Sequence, residues 1–164
     1  MNIQLLRDLS LDSFEYKDGK LLWKMAKGTR TDLLGKEAGN KREDGYIRIK
    51  INNRLYMAHR LIFLMKNGYL PYEIDHIDGN RSNNKIENLR EVTKSENAQN
   101  RKIPLNNSSG IKGVCWHKAA KKWYVQLQVN KKIKYFVTYD DLELAELVAI
   151  EARDKYHGKY ARNM

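Results

Sequence analysis

A single cysteine, Cys115, is all the thiol chemistry this chain has. That excludes an internal disulfide and any structural zinc site built on paired thiolates. Proline is nearly as scarce, with two residues, and one of them, Pro104, falls in a polar stretch. No apolar run approaches the roughly 20 residues needed to span a bilayer, and Met1-Asn2-Ile3-Gln4 does not open a signal peptide. The expectation is a soluble, cytoplasmic protein with no membrane partner. The most telling absence is of negative charge. From Asn97 through Tyr139 there is no Asp or Glu, while Arg101, Lys102, Lys112, Lys118, Lys121, Lys122, Lys131, Lys132 and Lys134 all lie in that span. Across the 164 residues, 31 Lys and Arg against 20 Asp and Glu leave a formal charge of +11. Such a balance points to an anionic polymer or surface as partner. The length suits one domain or two to three small ones.

What is present centres on Ile74-Asp75-His76-Ile77-Asp78-Gly79, followed by Asn88-Leu89-Arg90 and by Glu96-Asn97. Ile74 to Ile77 is short and β-branched, so it reads as a strand that buries Ile74 and Ile77 and lets Asp75 and His76 project near its end. Gly79, Asn80, Ser82, Asn83 and Asn84 form a broad turn. Leu89 and Val92 mark a returning strand. Thr93-Lys94-Ser95-Glu96 is a capping box, which predicts a helix from about Lys94 with Asn97 in its first turns and Asn100 on a similar face. A carboxylate and an amide oxygen are hard ligands of the kind Mg²⁺ accepts. A histidine can take a proton from an attacking water. Together they suit metal-assisted phosphodiester hydrolysis.

Asp75-His76-Ile77-Asp78-Gly79-Asn80, Asn83-Asn84, Asn88-Leu89-Arg90 and Glu96-Asn97-Ala98-Gln99-Asn100 resemble the HNH nuclease motif. The likeness is to the form in phage and intron-encoded homing endonucleases, where asparagine replaces the last histidine. The resemblance implies a ββα-metal unit. It implies that Asp75 and Asn97 bind a divalent metal, Mg²⁺ or alternatively Mn²⁺, and that His76 is the general base. Asn88 would hold the hairpin and orient the histidine, and Asn100 occupies a recurrent position of less defined role. A phage- or mobile-element-encoded enzyme working in a bacterial cytoplasm is the corresponding expectation. His59, in the His59-Arg60 pair that precedes such hairpins, reads as structural or phosphate-contacting. Arg81, Lys85 and Arg90 are candidates for holding substrate phosphates.

Upstream, residues 1–13 carry an apolar pattern of open state. Phe14-Glu15-Tyr16 and Leu21-Leu22-Trp23 flank an Asp18-Gly19 hairpin turn. Lys24 to Lys41 reads as loop, and a second hairpin, Tyr46–Ile51 and Arg54–Met57, turns at Asn52-Asn53. Ala58 to Asn67 predicts a helix closed by Gly68.

Downstream, residues 104–110 read as a linker. Three strands follow, around Gly113–Trp116, Lys121–Val129 and Ile133–Val137, with Trp123, Val125, Leu127 and Val129 on one face and Tyr124, Gln126 and Gln128 on the other. A helix capped by Asp140, with a stripe of Ala145, Val148, Ala149, Ala152 and Tyr156, covers the apolar face. Gly113-Val114-x-Trp116, Lys122-Trp123 and Val137-Thr138-Tyr139-Asp140 resemble the Apetala/ERF-type DNA-binding domain, whose sheet enters the major groove. The resemblance implies groove-facing roles for Lys112, Trp116, Gln126, Gln128 and Tyr135, with Lys121, Lys122 and Lys134 adding positive charge. Cys115 and Ile133 stand where many members carry arginine, so base preference does not transfer.

The expected architecture is α+β. An N-terminal β-rich, DNA-contacting region (1–57) precedes a nuclease unit (58–103), a linker (104–110) and a C-terminal domain (111–164) of a three-stranded antiparallel sheet on one helix. The expected activity is metal-dependent cutting of double-stranded DNA, with no obligate protein partner evident. A DNA-binding regulator with an inactive nuclease unit is the alternative, and RNA is a further candidate substrate.

Overall fold

In a computed structural model of the chain, residues 2–25, 31–99, 103 and 106–158 are described. The expectation about Asn100 lies outside them. Among the described residues are four helices and four small antiparallel sheets, a mixed α and β architecture. The chain divides into two compact units, Met1–Val92 and Thr93–Met164.

The first unit opens with helix α1 (Ile3–Ser13), whose N-terminus is capped by the Asn2 side chain accepting from the Gln4 N–H. Strands β1 (Phe14–Lys17) and β2 (Lys20–Trp23) form a hairpin. Its turn residues Asp18 and Gly19 have φ of 46° and 83°, the doubly positive pattern that matches the right-handed twist of the strands. Within the predicted loop a short strand β3 (Asn40–Lys41) pairs with β4 (Ile47–Ile51), which pairs in turn with β5 (Arg54–Met57). Two residues carry too little apolar pattern for β3 to be visible in sequence. Asn52 and Asn53 supply the second positive-φ turn.

Helix α2 (Ala58–Asn67) ends where Gly68 takes a left-handed φ of 80° and donates to the Leu64 carbonyl. Apolar residues surround α2, and it buries Ala58, His59 and every residue from Leu61 to Met65. A helix that buries seven of its ten residues belongs at the centre of its unit. Leu61, Ile62 and Leu64 share one core with Leu6, Phe14, Leu21, Ile49, Ile51, Ile74 and Leu89. No packing boundary therefore falls at the expected 57/58 division. The N-terminal region and the hairpin β6 (Glu73–His76) and β7 (Leu89–Val92) condense on the same helix.

The second unit begins with α3 (Lys94–Gln99), held by the predicted capping box. Thr93 N–H donates to Glu96 Oε2 at 2.7 Å, and Glu96 N–H donates to Thr93 Oγ1 at 3.3 Å. Strands β8 (Val114–His117), β9 (Lys122–Val129) and β10 (Lys132–Tyr139) form a sheet in the order β10-β9-β8. Helix α4 (Leu142–His157) places Ala145 and Ala149 against Val114 and Val125. Its cap is Asp141, which accepts from Leu144 N–H at 2.7 Å. Asp140, expected in that place, instead pairs with Lys122 at 3.1 Å.

Candidate active site and nucleic-acid face

Asp75 and His76 occupy the last two positions of β6, paired with Arg90 and Leu89 of β7. Both are buried, at 7% and 3% exposure, whereas Ile77 is 46% exposed. The expected pattern, with Ile77 inside and the polar pair projecting, is thus reversed at the strand end. The hairpin is covered on both faces. Ile74 enters the α2 core, Asp75 is gripped across the strand by Arg90, and His76 packs against His59.

Arg90 donates to Asp75 Oδ2 from Nε at 3.0 Å and from Nη2 at 2.8 Å. A side chain expected to reach phosphates therefore grips the acid expected to bind metal. Asn88, 9% exposed, is the clamp of the intervening loop. Its Oδ1 accepts from Asp78 N–H at 3.0 Å. Its Nδ2 donates to Asp78 Oδ1 at 3.0 Å and to the Asn83 carbonyl at 2.8 Å. Burial pushes the Asp78 carboxyl up, but hydrogen bonds from Asn83, the Asn80 backbone and Asn88 outweigh it, and the net shift is downward.

The side chain that touches the histidine is Asn84, only 1% exposed, whose Oδ1 lies 2.9 Å from His76 Nε2. Sequence reasoning saw Asn84 only as one half of an Asn-Asn pair in a turn. Nothing in composition distinguishes it from Asn83, whose amide bonds Asp78 instead.

His59 packs edge-on to His76 with ring centroids 5.1 Å apart, and Tyr46 lies 5.3 Å from His59 and 5.9 Å from His76. Burial, then the electrostatic effect of His76 and Arg60, pushes the His59 pKa down to about 3. Its Nδ1 is buried without a hydrogen-bond partner. His59 is therefore a neutral packing partner at physiological pH, which favours the structural side of its expected role. Arg81 lies over the Tyr46 ring, its guanidinium carbon 4.9 Å from the ring centroid, and donates to the Asp44 carbonyl at 3.1 Å. Ser82 Oγ donates to the Gly45 carbonyl at 2.8 Å. The segment before β4 is thus tied to the loop before Asn84, and Tyr46 joins the site without any sequence signal.

The first unit brings together Asp75, His76, Asn88, Arg90, Arg81 and His59. Asn97 belongs to α3 of the second unit, where its N–H donates to the Thr93 carbonyl at 3.0 Å. No group of three or more His, Cys, Asp or Glu among the described residues could hold a metal ion. Mg²⁺ does not require such a cage, because it keeps several waters and takes one or two hard oxygen ligands. A carboxylate offers about four lone-pair sites, and Arg90 meets Asp75 at Oδ2. The chemistry of Asp75 fits one bond to a hard cation.

In the second unit the groove-facing set divides between two faces. Directly paired residues share a face. Tyr124, Gln126 and Gln128 pair with Thr138, Phe136 and Ile133 on the side away from the helix-facing core. Trp116 pairs with Trp123, 4.8 Å apart between ring centroids, and lies with the core-facing residues. Tyr135 is also turned to that side, and its hydroxyl contacts that of Tyr139 at 2.9 Å. The cause is an irregularity at Lys134. Ile133 pairs with Gln128, but Tyr135 pairs with Leu127, so one extra residue in β10 reverses the alternation. Phe136 takes the outward place that Tyr135 was expected to hold, 5.6 Å from Tyr124. Trp116 and Tyr135 are therefore corrected to the helix side of the sheet. Lys121 and Lys134 are exposed, Lys122 is paired with Asp140, and the Lys112 carbonyl accepts from Arg153, a fully buried arginine on α4.

A β-hairpin ending in a buried Asp-His pair, with an asparagine closing its loop, is the arrangement of a known nuclease class. Residues 56–99 match the family model described as HNH endonuclease. Over 106 residues the chain is 37% identical to Protein 3.8 of Escherichia phage T7, which covers 63% of this chain and 87% of that protein. The chain carries an HNH endonuclease domain and belongs to the same protein family as Protein 3.8. No solved structure gives a significant match. No helix among the described residues is long and apolar enough to cross a membrane.

Proposed function

We propose that this protein is a divalent-metal-dependent DNA endonuclease of the homing type, phage-encoded and acting in the host cytoplasm. The observation that carries the reading is the buried Asp75-His76 pair at the end of β6, with its loop closed by Asn88. His76 accepts the proton of the attacking water. The water oxygen bonds to phosphorus as one P–O ester bond to the sugar breaks, leaving one cut in one strand. Asp75 supplies a hard oxygen for the metal and the motif order assigns the second to Asn97; Mg²⁺ is favoured, with Mn²⁺ as the other candidate. When bound, the cation stabilises the charge that builds on the phosphate and the departing oxygen. Asn88 keeps the loop closed, so that Asp75 and His76 stay fixed relative to each other, and exposed Arg81 is placed to meet a phosphate.

The second unit is read as the DNA-positioning module, of the Apetala/ERF kind. Support comes from the three strands on one alanine-lined helix and from the acid-free span that contains the sheet. On its outer face Gln126 and Gln128 offer amides able to pair with base edges. Lys121 and Lys134 supply phosphate contacts. Separate positioning and cutting modules suit a site-specific enzyme.

The grip of Arg90 on Asp75 favours the alternative, a DNA-binding regulator with an inactive nuclease unit. Supercoiled plasmid carrying host or phage sequence, incubated with wild type or His76→Ala in Mg²⁺ or chelator, separates the two. Open-circular or linear product from wild type with Mg²⁺ alone supports the endonuclease. Metal-independent retardation of the same DNA without any cutting would support the regulator.

A further inference from the structure

We infer that Asn84 is the positioning residue that keeps the proton of neutral His76 on Nε2, and that the β1–β2 hairpin holds Asn84 in place to do so. The inference rests on the reading of His76 as base. An amide oxygen only accepts hydrogen bonds, so a contact of 2.9 Å between Asn84 Oδ1 and His76 Nε2 requires that Nε2 carry the hydrogen. The lone pair is then on Nδ1. In the other tautomer the basic nitrogen would be Nε2, which faces the buried Asn84.

Two further observations point to Asn84. Its Nδ2 is buried without a hydrogen-bond partner. The one hydrogen bond of this buried side chain therefore goes to His76. Second, the backbone around it is held from outside the hairpin that carries the histidine. Tyr16 Oη accepts from Ile86 N–H at 3.1 Å. Lys85 Nζ pairs with Asp18 at 2.9 Å. Gly19, at φ +83°, lies so close that a Cβ there would come within 2.8 Å of Lys85 N and 3.2 Å of the Asn84 carbonyl carbon. On the other side, Asn88 bonds the Asn83 carbonyl. The N-terminal hairpin is thus a buttress for a side chain that selects the reactive nitrogen.

The test is long-range ¹⁵N NMR of the histidine rings in the full, metal-free chain, with His76 assigned by difference against His76→Gln. Wild type is expected to show the Nε2–H form. Asn84→Leu, of similar size but without an acceptor, is expected to shift His76 toward the Nδ1–H form. Asn84→Asp retains the acceptor and is expected to keep Nε2–H. Tyr16→Phe, which removes one bond from the buttress, is expected to give a mixture and is informative even if Asn84→Leu does not fold. In cutting assays Asn84→Leu should lower kcat with little change in KM, by between about 10-fold and 10⁴-fold, the span seen when a histidine partner or its tautomer is lost. An Nδ1–H His76 in wild type, or a tautomer indifferent to both Asn84→Leu and Tyr16→Phe, would overturn the inference. The NMR readout does not need catalysis. A protein with Nε2–H His76 and no nuclease activity therefore sinks the endonuclease reading and leaves the role of Asn84 standing.

Discussion

Arg90→Met tests whether Asp75 is the metal ligand. In wild type the carboxylate receives two charge-assisted bonds from one guanidinium, and the two side chains are 17% and 9% exposed. Removing one partner of a buried ion pair costs about 3–5 kcal/mol. The residual access of water to Arg90 places this pair at the low end, about 3 kcal/mol. With a urea dependence of roughly 1–3 kcal/mol per molar, the midpoint should fall by about 1–3 M in chelator. The same substitution removes a cation next to the carboxylate. At an effective dielectric near 20, two unit charges about 4 Å apart interact by about 4 kcal/mol, so a divalent cation should bind Arg90→Met much more tightly. Saturation to about 100 times the dissociation constant adds about 2.7 kcal/mol of stability. Urea melts with and without Mg²⁺ on wild type, Arg90→Met and Asp75→Asn/Arg90→Met read both effects. Mg²⁺ should rescue the single variant more than wild type and leave the double variant unchanged. An equal response in all three proteins would remove Asp75 from the metal site.

Asn88→Ala deletes the three bonds that close the loop. It should lower stability by about 2 kcal/mol, read as a shift in urea midpoint, and abolish cutting even where the protein remains folded. His59, held at a pKa of about 3 mainly by burial, binds its proton only in the unfolded chain between pH 6.5 and pH 3. Its contribution is therefore complete above pH 6.5 and is lost as pH falls, by about 2 kcal/mol at pH 5. His59→Leu should flatten the stability profile in that window, and an unchanged slope would show that His59 is protonated in the folded protein. On the second unit, Lys121→Ala and Lys134→Ala should each reduce the log–log salt slope of DNA binding by about 1. Lys122→Ala should reduce it less, because Asp140 already neutralises that ammonium. Equal effects would place the Lys122–Asp140 pair apart in the complex.

Much of this protein is local chemistry, and the sequence alone determined it. Asp18-Gly19 and Asn52-Asn53 specify their turns because few residues tolerate positive φ. Gly68 stops α2, Thr93 and Glu96 start α3, and alternation in β9 sorts Val125 and Leu127 from Gln126 and Gln128. The order Asp75-His76, Asn88, Asn97 was enough to identify the nuclease motif, because a motif is a statement about residue types and spacing. Contacts between distant segments belonged to the tertiary structure. That Arg90 grips Asp75, that Tyr46 and His59 pack on His76, and that Gly19 presses on the backbone of Asn84 follow from three sheets condensing on one central helix. In the second unit a single extra residue at Lys134 exchanged Tyr135 for Phe136 on the outer face. The strand pattern is written in period two, and only the pairing of the strands reveals where that period is broken.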